Sequence, residues 1–216
     1  MSDRAYVYYI KPIVDYVSSF MLLILFSPIC VLTIVAIKLD SQGPVFADVP
    51  DRVGRDRKPF HLYKFRSMIQ NAHNLLRTDD KFEQLYEEYK KNSYKIAGDP
   101  RITRVGKFIR KYSLDELPQF INVLRGEMSL VGPRAYYLDE FTAQQEKYPD
   151  TKKLINKVIS VKPGITGLWQ VSGRSEINFD KRVEMDAQYV DNISLLNDIT
   201  IILKTPWAMI SGKGAM

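Results

Sequence analysis

Tyr16–Ile37, YVSSFMLLILFSPICVLTIVAI, runs 22 residues without a charge between Asp15 and Lys38. A helix of that length reaches about 33 Å, enough to cross a hydrocarbon core of about 30 Å. The stretch is long for the core helix of a soluble protein. A signal peptide is disfavoured, because no small-residue cleavage site follows and the chain continues directly into Lys38-Leu39-Asp40. Ser27-Pro28 lies at its middle. Proline removes a backbone donor and crowds the preceding turn, so a bend is expected there, with the Ser27 hydroxyl a partner for a freed carbonyl. Basic residues stand on both flanks, Arg4 and Lys11 before and Lys38, Arg52, Arg55, Arg57 and Lys58 after. Both ends in the cytoplasm are therefore allowed. Proline is also tolerated in spanning helices, so a span and a return to the same face both stay open here.

The remainder of the 216-residue chain suffices for one domain with a real core. Hydrophobic residues at 45% and charged residues at 26% exclude a disordered tail and a polytopic membrane protein. An excess of 31 Lys and Arg over 25 Asp and Glu, +6 formally, suits phosphate-bearing partners without choosing among nucleotide, nucleic acid and anionic lipid. Cys30 is the single cysteine, so no intrachain disulfide forms; in its apolar setting it reads as a small hydrophobe. His61 and His73 are too few and too poorly spaced for a zinc site.

Past the turn Ser41-Gln42-Gly43-Pro44, the segments Val45-Phe46 and His61–Arg66 read as the strands of a hairpin around a charged loop. Leu75, Leu76, Phe82, Leu85, Tyr86 and Tyr89 fall at helical spacings, predicting an exposed amphipathic helix or helix pair from Asn71 to about Lys91. Asp99-Pro100 opens a basic amphipathic helix, with Ile102, Val105, Phe108 and Ile109 on one side and Arg101, Arg104, Lys107, Arg110 and Lys111 largely on the other, fit to lie on anionic lipid. Ser113 with Glu116 three residues on has the pattern of a capping box, opening a helix that Gly126 ends. Val131-Gly132-Pro133-Arg134 reads as a turn and Lys162–Gly167 as a loop. Phe141–Ile159, Phe179–Tyr189 and Ile193–Ile210 read as helices, the last with Trp207 near its close.

Asp115 and Glu116 are adjacent acids in the first turn of the helix so predicted. Acids there complement the helix dipole whether or not they do chemistry. Adjacent helical residues point about 100° apart, so the two suit divided labour: one carboxylate attacking, the other managing a proton or a metal. Arg110, Arg134 and Arg174 sit next to turns, where a guanidinium can fork onto phosphate oxygens, and Lys64 and Arg66 occupy a strand that can face the same cleft. For any single cation a solvated surface charge is the ordinary alternative. A diphosphate substrate would need such neutralisation, and Mg²⁺ would suit a carboxylate plus phosphate oxygens.

Lys111–Pro133, KYSLDELPQFINVLRGEMSLVGP, resembles the signature of the bacterial sugar transferases, the small monotopic phosphoglycosyl transferases. Gly43–Phe46, Tyr63–Met68, Asp99–Gly106 and Lys162–Arg174 match in the same order, as does the apolar stretch with its central Ser27-Pro28. The resemblance implies an α-rich α+β fold: a re-entrant helix broken at Ser27-Pro28 (residues 1–40) packed on a cytoplasmic catalytic domain (residues 41–216) with amphipathic interfacial helices and a short β-hairpin. It implies a monotopic protein in one leaflet, at the cytoplasmic face of the plasma membrane. No extended multi-helix region precedes the apolar stretch, which reads as a minimal catalytic form.

The reaction so implied transfers a sugar-1-phosphate from a UDP-sugar to polyprenyl (undecaprenyl) phosphate, with UMP released. Asp115 would be the nucleophile and would carry the phosphosugar, Glu116 would assist with proton or metal, and Mg²⁺ would lie beside Asp115. Lys64, Arg110 and Arg134 match positions that hold phosphate; Arg66 lies in a matching segment, and Arg174 is a looser assignment. The family usually reads Pro-Arg-Pro where this chain has Pro133-Arg134-Ala135, a less rigid turn. The Asn71–Lys95 region is longer than in compact members and takes no role from the resemblance. A membrane-anchored adaptor for anionic lipid is the rival reading, and it gives no reason for Asp115-Glu116. A nucleic-acid binder is disfavoured, since the basic residues are scattered among acids. A homodimer is compatible with the sequence, and neither the sugar nor the glycan is legible in it.

Overall fold

The computed structural model describes residues 4–91, 96, 98–173 and 177–210. It opens on a π-helical turn, Tyr6–Ile10, that runs straight into helix α1, Lys11–Asp40. The backbone stays helical through Pro28, so the expected interruption there is absent. Ser27 Oγ donates to the Ile24 carbonyl at 2.8 Å, the acceptor that the missing N–H of Pro28 would have used. That partner explains how the proline is carried without a break.

One stripe of α1 faces inward: Lys11, Asp15, Ser19, Thr33 and Ile37 are buried, and Leu22, Phe26 and Cys30 pack on the core between them. These positions recur every three or four residues, the period of one helix face. Ile13, Val17, Met21, Ile24, Leu25, Val31, Leu32, Val35 and Leu39 stay exposed on the rest of the surface. The helix is therefore pressed along a body rather than standing off it. Its start reaches Asp198, its first turns reach Ser129, Phe26 stacks on Phe120 with centroids 6.4 Å apart, and Asp40 accepts from the Val105 N–H at 3.1 Å.

The body is built from short elements. Strands β1 (Arg52–Val53) and β2 (Pro59–Phe60) pair antiparallel inside the segment expected to be a loop. The expected hairpin strands meet only at a bridge between Phe46 and Phe65, supported by Arg66 N–H to Val45 O and Ala47 N–H to Lys64 O, both 2.8 Å. Helices α2 (Ala72–Thr78) and α3 (Glu83–Lys91) form a pair, and Leu76 and Tyr89 on their apolar side are buried with Ile96. Helix α4 (Arg104–Lys111) is capped by Thr103, whose hydroxyl accepts from Gly106 N–H. A β-carbon on Gly106 would stand 1.9 Å from the Ser67 carbonyl, so this helix lies directly against the main chain at Ser67.

Helix α5 (Gln119–Leu124) follows a 3₁₀ turn at Leu114–Glu116, and Gly126, with φ 75°, ends it as expected. The capping box at Ser113 does not form: Ser113 is left-handed, φ 54°, and its side chain makes no cap. Its αL conformation reverses the chain, whereas an N-cap needs extended dihedrals. Strand β3 (Ser129–Val131), which ends where the expected turn begins, pairs in parallel with β4 (Gly164–Thr166), inside the segment read as a loop. A β-carbon on Gly164 would sit 2.0 Å from the Gly132 nitrogen, so only glycine allows this approach. The helix expected over Phe141–Ile159 is two, α6 (Leu138–Lys147) and α7 (Lys152–Val158), because Pro149 cannot continue the first. Helices α8 (Leu168–Ser172), α9 (Phe179–Asp191) and α10 (Leu195–Ile210) follow among the described residues.

Asn122, fully buried on α5, ties the elements that matter for the site. Its Oδ1 accepts from Tyr63 N–H at 2.9 Å, while Nδ2 donates at 2.7 Å to both His61 O and Glu127 Oε2. Asn122→Ala leaves Tyr63 N–H and His61 O without these partners, and should destabilise the fold by about 2–4 kcal/mol. Thermal unfolding in detergent measures it; an unchanged midpoint would show that the anchor is dispensable.

Candidate active site

The segment Tyr63–Arg66 is extended, so alternate side chains part company. Phe65 enters the core, and Lys64 and Arg66 point to the other side. Phe65 N–H donates to the Asp115 carbonyl at 2.9 Å, which joins this strand to the 3₁₀ turn. Lys64 Nζ thereby stands 2.9 Å from Asp115 Oδ2 and 3.4 Å from Glu116 Oε1. One ammonium thus holds both acids. Their exposure separates them: the Asp115 side chain is 3% exposed and that of Glu116 38%. Asp115 is the inner group and Glu116 the rim.

Burial works against the Lys64 charge, but Asp115 and Glu116 outweigh it and its pKa rises. For Asp115, burial pushes the carboxyl up, Lys64 pulls it back and Glu116 adds to the rise; the net direction is upward. A carboxylate with a raised pKa is a stronger nucleophile while ionised. Its ionised form is lost as pH falls through that raised value. Lys64→Met removes the group that holds it down, so the acid limb of the rate profile should move to higher pH. Initial rates between pH 5 and 9 check this, and a limb that stays or moves down would remove Lys64 from the control of Asp115.

Asp115, Glu116, Lys64, Arg66, Arg110 and Arg134 all line one cavity of about 550 Å³. The cations in it are not equivalent. Arg66 hydrogen-bonds the Gln42 carbonyl and, at 2.8 Å, the Ser41 carbonyl, so its head straps the turn after α1. Arg101, also in the wall, is engaged by Asp99 at 2.6 and 2.9 Å. Arg110 arrives from the last turn of α4, and its charge favours the ionised form of Asp115. The Arg134 guanidinium lies against the Trp169 ring, 5.4 Å from its centroid, and its buried Nε has no partner. Arg174 lies outside the described residues.

Four further residues line the cavity that the sequence alone did not mark for the site: Arg52, His73, Tyr137 and Trp169. Arg52 lies 3.3 Å over the Tyr137 ring, His73 meets the same ring edge-on, and Trp169 backs Arg134. Burial, with Arg52 and Arg101 nearby, lowers the His73 pKa to about 4, so it is neutral at physiological pH. Among the described residues no cluster of three His, Cys, Asp or Glu exists that could hold a metal. Asp115 and Glu116 are hard oxygen donors converging on one cation, Lys64, which fits Mg²⁺ only with phosphate oxygens and water completing its shell.

Arginines thus wall a cavity around a buried, lysine-paired carboxylate, beside a helix with an apolar outer face. The model of the bacterial sugar transferase family matches residues 6–212, and the chain belongs to that family. It is 42% identical over 207 residues to the undecaprenyl-phosphate galactose phosphotransferase of Salmonella typhimurium, covering 96% of this chain and 42% of that protein. It is 41% identical over 214 residues to the UDP-glucose:undecaprenyl-phosphate glucose-1-phosphate transferase of Klebsiella pneumoniae, covering 95% of this chain and 41% of the relative. An exopolysaccharide production protein of Sinorhizobium fredii is 38% identical over 202 residues, 93% of this chain and 85% of its own length. The chain thus spans less than half of the first two relatives and most of the third.

Proposed function

We propose that this protein transfers a sugar-1-phosphate from a UDP-sugar to polyprenyl phosphate, releasing UMP and starting a membrane-bound glycan. The observation that carries the reading is the buried Asp115 held by Lys64 in an arginine-lined cavity. An Asp115 carboxylate oxygen attacks the sugar-proximal phosphorus, forming an O–P bond as the bond to the UMP phosphate breaks with its electrons. A phosphate oxygen of the lipid then attacks the same phosphorus, and Asp115 departs as the carboxylate. Lys64, Arg110 and Arg134 offset the charge that otherwise keeps an anion from an anion. Glu116 sits where it can hold Mg²⁺ with Asp115 and phosphate oxygens; the ion would add Lewis-acid stabilisation of the phosphoryl group.

The acceptor fits a second feature. A groove of about 700 Å³ between α1 and α4 is lined by Ile29, Leu32, Leu39, Val105, Phe108 and Leu114, the last adjoining Asp115. An isoprenoid chain in that groove would bring its phosphate toward the carboxylate.

We also assign α1 to one leaflet, with the catalytic body at the cytoplasmic surface. About 45 Å of helix touches the same body at its start, middle and end, so a body confined to one side of the membrane brings both ends to that side. The exposed apolar face, Phe108 and the outer residues Leu196, Leu203 and Trp207 of α10 supply the surface that lipid would cover. In a Cys30→Ala background, cysteines at Tyr8 and Gln42 should both label from the cytoplasmic side of sealed vesicles. Labelling from opposite sides would mean a span.

The catalytic reading is tested by UMP release across a panel of UDP-sugars with Mg²⁺ and undecaprenyl phosphate. Release from at least one donor, dependent on Asp115, supports it. No release from any donor would leave the lipid-binding adaptor.

A further inference from the structure

Pro133-Arg134-Ala135 lacks the second proline expected of its turn, yet each of its residues is held through the main chain. The Pro133 carbonyl accepts from Gly164 N–H at 2.8 Å. The Ala135 carbonyl accepts from Arg52 Nη1 at 3.3 Å. Between them, Arg134 N–H donates to Asp186 Oδ2 at 3.1 Å. The next residue shares that acceptor, since Tyr136 Oη donates to the same Asp186 oxygen at 2.8 Å.

Asp186 is fully buried on α9 and has no direct place in the cavity wall. Its environment is rigid. Tyr136 packs on Phe141 and Phe179, with centroids 4.8 and 5.9 Å away, and the Tyr136 carbonyl accepts from Val53 N–H at 2.9 Å. On the same helix Arg182 pairs with Glu140 at 3.4 Å, and its guanidinium lies 5.2 Å from the Trp169 centroid. Trp169 is also the ring against which Arg134 rests. Helix α9 therefore meets Arg134 twice, at its backbone through Asp186 and at the Trp169 ring that Arg182 and Arg134 both approach.

We propose that Asp186 is a positioning residue for the transfer reaction: by clamping the Arg134 main chain it aims that guanidinium at the phosphates in the cavity. This rests on the reading of the cavity as a phosphate site. The clamp needs an acceptor rather than a charge, because both donors are neutral and both use Oδ2, leaving the buried Oδ1 without a partner. Burial raises the Asp186 pKa to about 7, which fits a carboxyl whose work does not depend on being ionised. Asparagine at this position keeps one oxygen for both donors; alanine keeps none.

Misplacing a group by about 1 Å can cost on the order of 100-fold in rate. Asp186→Ala should therefore lower kcat/KM for the UDP-sugar by roughly 10- to 100-fold, and Asp186→Asn should restore it to within about threefold of wild type. In an Arg134→Ala background, Asp186→Ala should cost nothing more, because a residue acting through Arg134 has nothing left to position. Asp186→Val, which fills the space without an acceptor, serves if the alanine variant does not fold. Hydrogen exchange supplies a readout without substrate: the Arg134 amide should lose protection in Asp186→Ala and keep it in Asp186→Asn.

Full additivity with Arg134→Ala, or an Arg134 amide still protected without the acceptor, would overturn the proposal. If the wild type releases no UMP from any donor, the phosphate-transfer reading and the proposed part in the reaction fail together. The exchange experiment then still decides whether Asp186 holds Arg134.

Discussion

Asp115→Asn is expected to abolish transfer, lowering the rate by at least about 10⁴-fold, the scale seen when a covalent nucleophile is removed. The substitution keeps shape and volume but leaves no carboxylate to bond phosphorus. Lys64 still has Glu116 at 3.4 Å, so the loss should fall on chemistry rather than folding. Radiolabelled sugar-phosphate transfer to the lipid measures the rate, with thermal unfolding as the control. Incubation of the wild type with UDP-sugar and no acceptor should leave a sugar-phosphate adduct on the Asp115 peptide, absent from Asp115→Asn. Glu116→Gln should cost less, roughly 10- to 100-fold, because a rim carboxylate aids an attack it does not make. Retention of transfer by Asp115→Asn, or an adduct mapped to another residue, would end the assignment of Asp115 as nucleophile.

The contrast between Arg66 and Arg134 shows what the sequence could and could not disclose. As letters they are two cations in matching segments. In the structure one straps carbonyls beside α1 and the other rests on Trp169 facing the cavity, and only the fold distinguishes these uses. The apolar stretch was legible because a membrane helix announces itself by the absence of charge over its own length. Its inward stripe was not, since Ser19 and Thr33 carry little signal and Lys11 and Asp15 lie outside the uncharged window. Strands β3 and β4 are three residues each, too short for alternation to show, and the Gly132-Pro133 and Pro163-Gly164 pairs beside them read as punctuation. At Ser113 a local rule failed. Ser-Leu-Asp-Glu has the letters of a capping box, but the chain reverses there to bring Asp115 onto the Lys64 strand, and tertiary geometry overrode the cap. Asn122 gave no warning either, because two of its three partners lie 59 and 61 residues away along the chain.

Asp198→Ala should produce the largest loss of stability, about 3–5 kcal/mol, because it strands a buried charge where α1 meets the body. Lys11 Nζ lies 2.6 Å from Asp198 Oδ2, with side-chain exposures of 11% and 4%. Tyr6 Oη donates to the same oxygen at 2.8 Å, and Tyr189 Oη donates to Oδ1 at 2.7 Å. Removal of the carboxylate takes one acceptor from each hydroxyl, leaving Tyr189 the Val131 carbonyl at 3.0 Å, and leaves Lys11 the longer contact to Asp15 at 3.7 Å. Asp15 is itself committed to the body, accepting from Ser129 Oγ at 2.6 Å and Leu130 N–H at 3.2 Å. Through Ser129 the cluster abuts β3, whose end leads into Arg134, so a loosened helix should also lower transfer. Double replacement by apolar residues, Lys11→Met with Asp198→Leu, removes both charges and should recover most of the stability, since a pair is costly chiefly when halved. Thermal unfolding of the single and double variants in one detergent measures this coupling. Equal destabilisation in both would show that the ion pair is incidental, and that the tyrosine hydroxyls or simple packing hold α1 to the body.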